Sequence, residues 1–222
     1  MKMMKVTLGA AAVALMAATA LAGPAAAQPP AASAAPAITL TPAELTALLP
    51  IKQAVDAGNW AGASALIPAA RTAARTPDSR YVLARLELDV AVATQNRTAQ
   101  RQAIDAMISS RKASPEEIVE LNRQVAGIAY DTGSLNTAEG ALNRAVDLAP
   151  NDAESLSMLA QLNRNKNNQT QALAYFQRAL RSADLVGRQL PESRYRLALA
   201  LAEQAGQRGV ALEIARSFIS AF

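Results

Sequence analysis

One stretch of this chain recurs at a fixed offset, and that recurrence restricts the fold more than any other feature. Seven positions between Val125 and Val146 have a counterpart 34 positions later; six are small or apolar and one is a turn residue. A hairpin of this kind cannot bury its own apolar side, so successive copies must stack on one another as an open solenoid. The counterparts are Val125 and Leu159, Ala126 and Ala160, Gly133 and Asn167, Ala138 and Ala172, Leu142 and Phe176, Ala145 and Ala179, and Val146 and Leu180.

From Thr41 onward the pattern is that of helix after helix, separated by short segments of Gly, Asn, Ser, Pro or Asp. No stretch alternates polar and apolar residues for long enough to predict a strand. We therefore expect an all-α fold of five helix pairs, in which the first helix of each pair is called helix A and the second helix B. The predicted pairs are residues 42–56 with 60–74, 79–94 with 99–109, 115–130 with 135–148, 152–164 with 169–183, and 191–204 with 208–220.

Local signals support these helix starts. Asp78 precedes the second pair, and three other starts carry the capping-box pattern, in which a polar cap and a Glu three residues later satisfy each other's backbone N–H groups. Pro50 and Pro68 fall inside the first pair, where a proline removes a helix hydrogen bond and predicts a kink or break. The expected boxes are Thr41 with Glu44, Ser114 with Glu117, and Asn151 with Glu154.

The third and fourth pairs resemble the tetratricopeptide repeat (TPR). The shared pattern is a small residue in helix A, a turn residue, Ala and then a larger apolar residue in helix B, and a second Ala. It is carried by Gly133, Ala138, Leu142, Ala145 and Pro150, and by Ala160, Asn167, Ala172, Phe176 and Ala179. The resemblance implies a right-handed superhelical solenoid of about five antiparallel helix pairs, with residues 119–152 and 153–186 as the best repeats. Phe176 is expected to fill the space between the fourth pair and the fifth.

The pattern also departs from the family. The large aromatic residue expected early in helix A is absent from the third and fourth pairs, and the spacing between equivalent alanines drifts. The separation is 40 positions from Ala63 to Ala103, 35 from Ala103 to Ala138, and 39 from Ala172 to Ala211. The first, second and fifth pairs are thus degenerate or have longer links. An alternative is a bundle of unrelated alanine-rich hairpins.

A TPR-like solenoid implies a protein or peptide partner held in a concave groove lined by the A helices. Transferring the family's groove positions to this sequence selects charged and amide side chains. The alternative role of such residues is an ordinary solvated helix face. The expected groove residues are Glu120, Arg123, Asp131, Gln161, Arg164, Asn165, Arg196 and Glu203.

The N-terminal residues have the layout of a secretory signal peptide. Lys2 and Lys5 precede an alanine-rich apolar run, and a small-x-small site ends at Ala27. We expect residues 1–27 to be removed, residues 28–40 to form a disordered Pro/Ala linker and residues 41–222 to form the repeat domain. The alternative is a retained membrane anchor. Without a cysteine the chain cannot be a lipoprotein, so a periplasmic or secreted bacterial protein is favoured.

Composition excludes several kinds of chemistry. The chain has no histidine and no cysteine, so neither Ser-His-Asp nor Cys-His catalysis nor a zinc site built from those residues is available, and no cofactor or metal is expected. Loss of the leader reduces 22 basic residues to 20 against 18 acidic ones, and aromatic residues make up only 4% of the chain. Such a balanced chain is a poor nucleic-acid binder. We expect a non-catalytic scaffold.

Two alternatives remain open at this stage. The last helix has Leu212, Ile214, Phe218, Ile219 and Phe222, and an apolar outer face there would allow self-association in an envelope assembly. Glu116 and Glu117 could in principle serve a carboxylate-based glycan-cleaving enzyme. Their more ordinary role is to place negative charge at the start of a helix.

Overall fold

The structure is a computed structural model that describes residues 37–222, and the expected signal peptide and most of the linker lie outside the described residues. In this part of the chain all regular elements are helical and follow one another with short connections. The ten helices are α1 (Pro42–Asp56), α2 (Trp60–Ala73), α3 (Pro77–Ala93), α4 (Arg97–Ser109), α5 (Pro115–Asp131), α6 (Leu135–Leu148), α7 (Ala153–Asn165), α8 (Gln169–Leu185), α9 (Glu192–Gln204) and α10 (Arg208–Ala221).

Helices pack chiefly against their neighbours in the chain, as five pairs that stack in order. Odd-numbered helices are therefore the A helices and even-numbered ones the B helices. All helix ends lie within two residues of the predicted ends. The all-α repeat architecture expected from the fixed offset is confirmed, and among residues 37–222 no helix is long and apolar enough to span a membrane.

The turn from helix A to helix B has the same geometry in each of the five described pairs. In the third pair the Gly133 N–H donates to the Tyr130 carbonyl (3.0 Å) and the Ser134 N–H to the Ala129 carbonyl (2.7 Å), which is the Schellman motif. Both bonds have equivalents in the other four pairs, so the pairs with irregular spacing close in the same way. In these five turns the residues with positive φ are Gly58 (69°), Gln95 (55°), Gly133 (73°), Asn167 (61°) and Gly206 (67°).

These turns give a register that corrects the alignment of the second pair. The buried alanines Ala63, Ala138 and Ala172 each lie five residues after the positive-φ residue of their turn. In α4 that position is Gln100, not Ala103 as the sequence comparison assumed. Gln100 is buried and its Nε2 donates to the Ala91 carbonyl at 3.0 Å. A satisfied amide therefore replaces alanine where the two helices of this pair approach each other.

The core runs along the solenoid as three clusters of buried side chains. One joins the first two pairs, the next extends from α3 to α7, and the last unites the fourth and fifth pairs. Phe176 is fully buried in the last cluster, as its expected place between these pairs requires. Trp60 is half-buried and packs on the first cluster. Stacking of pairs thus supplies the burial that no single hairpin can provide.

Local signals were correct at some helix ends and wrong at others. The Thr41–Glu44 capping box is present. Ser114 caps α5, but the Glu117 side chain contacts Tyr81 of α3 instead of closing the predicted box. The cap of α7 is Asp152, whose Oδ2 accepts from the Ser155 N–H at 2.9 Å, so the predicted Asn151–Glu154 box is wrong.

The two prolines of the first pair do not break their helices. Helix α1 continues through Pro50 and α2 through Pro68, and both prolines are exposed. A carbonyl that loses its N–H partner on the solvent side of a helix can bond to water, which lowers the cost of an interior proline. The predicted break is therefore absent from both helices.

Candidate binding trough on the A helices

Adjacent A helices present matching stripes of side chains at a spacing of four, three and four residues. This spacing places the members of each stripe on one side of their helix. The α5 stripe is Glu120, Gln124, Gly127 and Asp131, and the α7 stripe, 34 positions later, is Glu154, Met158, Gln161 and Asn165.

Two cavities lie along these stripes and adjoin each other. The smaller has a volume of about 200 Å³ and lies between α5 and α7, with α6 behind it and Arg194 of α9 at its edge. The larger, of about 720 Å³, lies between the ends of α3 and α5. Gly127 and Asp131 line both cavities. We call this combined surface the trough, since it extends across the second, third and fourth pairs.

The smaller cavity has an apolar floor and a polar rim. Small and aliphatic side chains from three helices form the floor, and a hydroxyl, an amide, two carboxylates and a guanidinium surround it. Such a combination suits a ligand that inserts an apolar group and makes hydrogen bonds around it. The floor is Ala126, Gly127, Ala138, Leu142, Met158 and Leu162, and the rim is Tyr130, Asp131, Glu154, Gln161 and Arg194.

Polar contacts position part of this rim. Asn165 donates a hydrogen bond from Nδ2 to the Tyr130 hydroxyl and so ties α7 to α5. Asp131 accepts from Arg97 Nη2 at 3.0 Å, and both side chains are more than half exposed. An exposed ion pair of this kind contributes only about 0–1 kcal/mol, so a partner's charge can replace it. Arg194 Nε is buried and has no hydrogen-bond partner among residues 37–222.

Solved structures share this architecture. The chain is similar to a structure titled "Crystal structure of MamA protein", with a TM-score of 0.59, 11% identity, and coverage of 81% of this chain and 91% of that chain. A second, YrrB, is titled "a TPR protein with an unusual peptide-binding site" and has a TM-score of 0.57 and 15% identity over 80% of this chain and 86% of its own. The fold is that of a TPR solenoid.

A third similar structure is pilF of Pseudomonas aeruginosa, with a TM-score of 0.52 and 15% identity, covering 81% of this chain and 77% of that chain. No family model matches the sequence, and no curated protein matches it either. At these identities the likeness establishes the TPR fold alone.

The TPR fold distributes the expected groove residues over different surroundings. Asp131 and Gln161 line the smaller cavity, and Asn165 holds Tyr130 at its rim. Arg164 and Glu203 are exposed and line neither cavity of the trough. Their roles in binding remain predictions.

Three other expected groove residues are engaged within the protein. Arg123 donates to Glu120 and, at 2.8 Å, to Asp152 at the start of α7. Although burial opposes it, these two carboxylates raise the pKa of Arg123. Arg196 pairs with Glu192 and lies 6.0 Å from the ring centre of Phe218, so it faces α10 and not the trough.

Several trough residues escaped the sequence reasoning, namely Gly127, Tyr130, Glu154, Met158 and Arg194. The fixed offset could have found three of them, because it relates the expected groove residues Gln161 to Gly127, Glu120 to Glu154 and Arg164 to Tyr130. Met158 and Arg194 have no expected groove residue as counterpart at this offset, and Tyr130 and Met158 are neither charged nor amide side chains. A prediction based on exposed polar residues cannot identify apolar side chains that line a groove.

Glu117, the carboxylate considered for glycan cleavage, takes part in a contact between pairs. The Tyr81 hydroxyl lies 2.7 and 2.6 Å from its two carboxylate oxygens, and Arg85 Nη1 lies 3.6 Å from Oε1. Burial, followed by the hydrogen bond to Glu117 and its negative charge, raises the pKa of Tyr81. This arrangement joins α3 to α5. It explains the presence of Glu117 at this position by packing between helix pairs, without a catalytic role.

Proposed function

We propose that this protein is an exported, non-catalytic scaffold of the bacterial cell envelope that binds a protein or peptide segment in the trough. The observation that carries the proposal is the continuity of the trough: two cavities share Gly127 and Asp131 and together cross three helix pairs. An extended segment needs a surface of this shape, with apolar recesses for some side chains and polar groups for its backbone.

The chemistry along the trough differs between its two parts. Around the smaller cavity the floor is apolar, whereas the larger cavity is lined mainly by amide and charged side chains such as Gln95, Gln100 and Gln124. Interfaces combine a desolvated apolar centre with a polar, hydrated rim. On this basis the smaller cavity supplies the anchor of the complex, and the larger one supplies adaptable hydrogen bonds.

Photo-crosslinking in living cells tests this proposal. A photoreactive residue replacing Gln124, which lines the trough, should give discrete adducts with a partner. The same residue replacing Asn143, which is also exposed, on α6, and lines neither cavity of the trough, should not. Equal adducts from both positions, or none from Gln124 and several from Asn143, would contradict binding in the trough.

Export to the envelope rests on the leader sequence. The proposal is that residues 1–27 direct secretion and that the mature chain begins at Gln28. Cell fractionation followed by N-terminal sequencing measures both points. Recovery of the intact N-terminus in a membrane fraction would favour the retained anchor, and recovery in the cytoplasm would refute export.

A specific observation also supports self-association as a second function. On α8, Leu173 and Leu180 are buried within the cluster that joins the fourth and fifth pairs. The equivalent residues of α10, 39 positions later, are Leu212 and Ile219, which are 60% and 80% exposed. A second copy stacking on the fifth pair would cover them in the way that the fifth pair covers the fourth.

Sedimentation velocity over a range of concentrations tests self-association. Wild-type protein should form dimers or larger species as concentration rises, and Ile219→Glu should remain monomeric. Leu148→Glu, at a 50% exposed position on α6, is the matched control and should behave as wild type. A wild-type monomer at all concentrations would rule out this second function.

A further inference from the structure

Gly127 lies in the interior of α5 although nothing in the fold requires glycine there. Its backbone is helical, and a Cβ atom at this position would meet no other atom within 4 Å. Glycine in a helix interior is less stable than alanine because its backbone has more freedom to lose. The fold therefore tolerates an unfavourable residue that neither a turn nor close packing demands.

The empty space above Gly127 belongs to the smaller cavity. Gly127 lines this cavity and also the larger one beside it. Any side chain larger than hydrogen would project into the passage between them. The absence of a side chain at Gly127 thus keeps the trough continuous. This explains why glycine occupies the position, which packing within the fold does not explain.

The volume and lining of the smaller cavity match one side chain of a partner. Its 200 Å³ is smaller than the ≈ 300–1,000 Å³ of typical small-molecule sites. The floor is apolar, with Leu142, Met158 and Leu162 as its larger members. Methionine adapts its shape to different occupants, so either a leucine or an aromatic ring fits this lining.

Two rim groups indicate what lies beside that side chain. Arg194 lines the cavity, and its Nε is buried and donates to no residue in the part of the chain that the structure describes. A buried donor without an acceptor is unfavourable, and the carbonyl oxygen of an extended segment would satisfy it. Glu154 and Asp131 also line the cavity and add two carboxylates, of which Asp131 pairs with the exposed Arg97. These carboxylates favour a basic neighbour.

We propose that Gly127 keeps open a pocket for one leucine-sized or aromatic side chain of an extended partner segment, with a lysine or arginine next to that side chain. This proposal rests on the proposed function, since it names the chemistry of the segment held in the trough. Arg194 donates to the segment's backbone, and the two carboxylates select the basic neighbour.

Selection of displayed random peptides on the full-length protein tests the pocket. Peptides enriched on wild type should share one large apolar residue beside a lysine or arginine. Gly127→Leu places a side chain in the cavity and should weaken their binding about tenfold or more, as expected for loss of an interface anchor. The matched control is Gly209→Leu on α10, where a Cβ also meets nothing within 4 Å; its binding should equal wild type.

A second variant, which reverses a charge at the rim, tests the proposal without a change at Gly127. Glu154→Lys should shift enrichment from peptides with a basic neighbour to peptides with an acidic one, and a thermal melt checks that each variant is folded. Peptides that bind Gly127→Leu as well as wild type, or that share no apolar residue, would overturn the pocket.

Failure of the pocket can be separated from failure of the proposed function. Peptides that ignore Gly127→Leu but lose binding on Gln124→Arg would leave the trough as the binding site and remove the pocket. Enrichment of no peptide, or of peptides unaffected by every trough variant, would refute both.

Discussion

Ser79 Oγ donates a hydrogen bond of 2.6 Å to Oε1 of Glu44, and this contact joins the starts of the first two A helices. The same carboxylate accepts from the Thr41 N–H at the cap of α1 and from the Thr76 N–H at the cap of α3, each at 3.0 Å. Glu44 is 4% exposed. One buried carboxylate therefore caps two successive repeats at once.

This shared cap predicts a loss of stability in acid. The bond from Ser79, followed by those from the Thr41 and Thr76 backbones, holds the pKa of Glu44 far below its ordinary value of 4.5. A carboxyl whose folded pKa is lowered contributes stability above the unfolded pKa, and that contribution disappears as pH falls through the folded pKa. Wild-type stability should therefore decline from about pH 5 downward. Glu44→Gln should be less stable at pH 7 and lose less on acidification, as measured by urea denaturation at several pH values. Parallel curves for the two proteins would contradict this role.

Phe176→Ala should destabilise the protein by about 3–5 kcal/mol, because the ring is fully buried between the fourth and fifth pairs and its loss leaves a cavity. Leu185→Ala, at an 82% exposed position on the same helix, should change stability by less than about 0.5 kcal/mol. Reversible urea denaturation measures both free energies. A loss near that of the control would mean that the pairs do not pack around Phe176.

The turn register predicts a stabilising substitution. Gln95 has φ of 55°, a conformation that is unfavourable for residues other than glycine. Gln95→Gly should therefore raise stability by about 0.5–1 kcal/mol. Gln102→Gly, in the interior of α4, should instead lower it by about 1 kcal/mol. If both substitutions destabilise equally, the second pair does not share the turn of its neighbours.

The contact between Tyr81 and Glu117 should be measurable as a coupling energy. Tyr81→Phe removes the hydroxyl beside the carboxylate and should cost about 1–2 kcal/mol, since the bond is charge-assisted and mostly buried. In a double-mutant cycle with Glu117→Gln, a coupling of about 0.5–3 kcal/mol is expected for directly interacting residues.

Glu117→Gln should also leave a peptidoglycan digestion assay unchanged. Turnover that is lost in this variant would restore the enzymatic alternative.

Local sequence patterns were sufficient to predict the helices, their ends and the stacking of pairs. Those features depend on neighbouring residues: apolar spacing along one helix, a cap such as Thr41, and a turn residue such as Gly133 that accepts positive φ. The interactions involved span only a few residues, so a short stretch of chain records them. The recurrence of one hairpin at a fixed offset likewise indicated that no pair could bury its apolar side alone.

Packing between repeats gives several polar side chains of the A helices contacts that no local pattern predicted. Glu117 leaves its predicted box because Tyr81, 36 residues earlier, lies beside it, and Arg123 turns to Asp152, 29 residues later. Arg196 faces Phe218, whereas Arg194 reaches the trough. These choices depend on how far one repeat is rotated against the next. That rotation arises from packing across the whole interface between pairs, which no single stretch of sequence encodes.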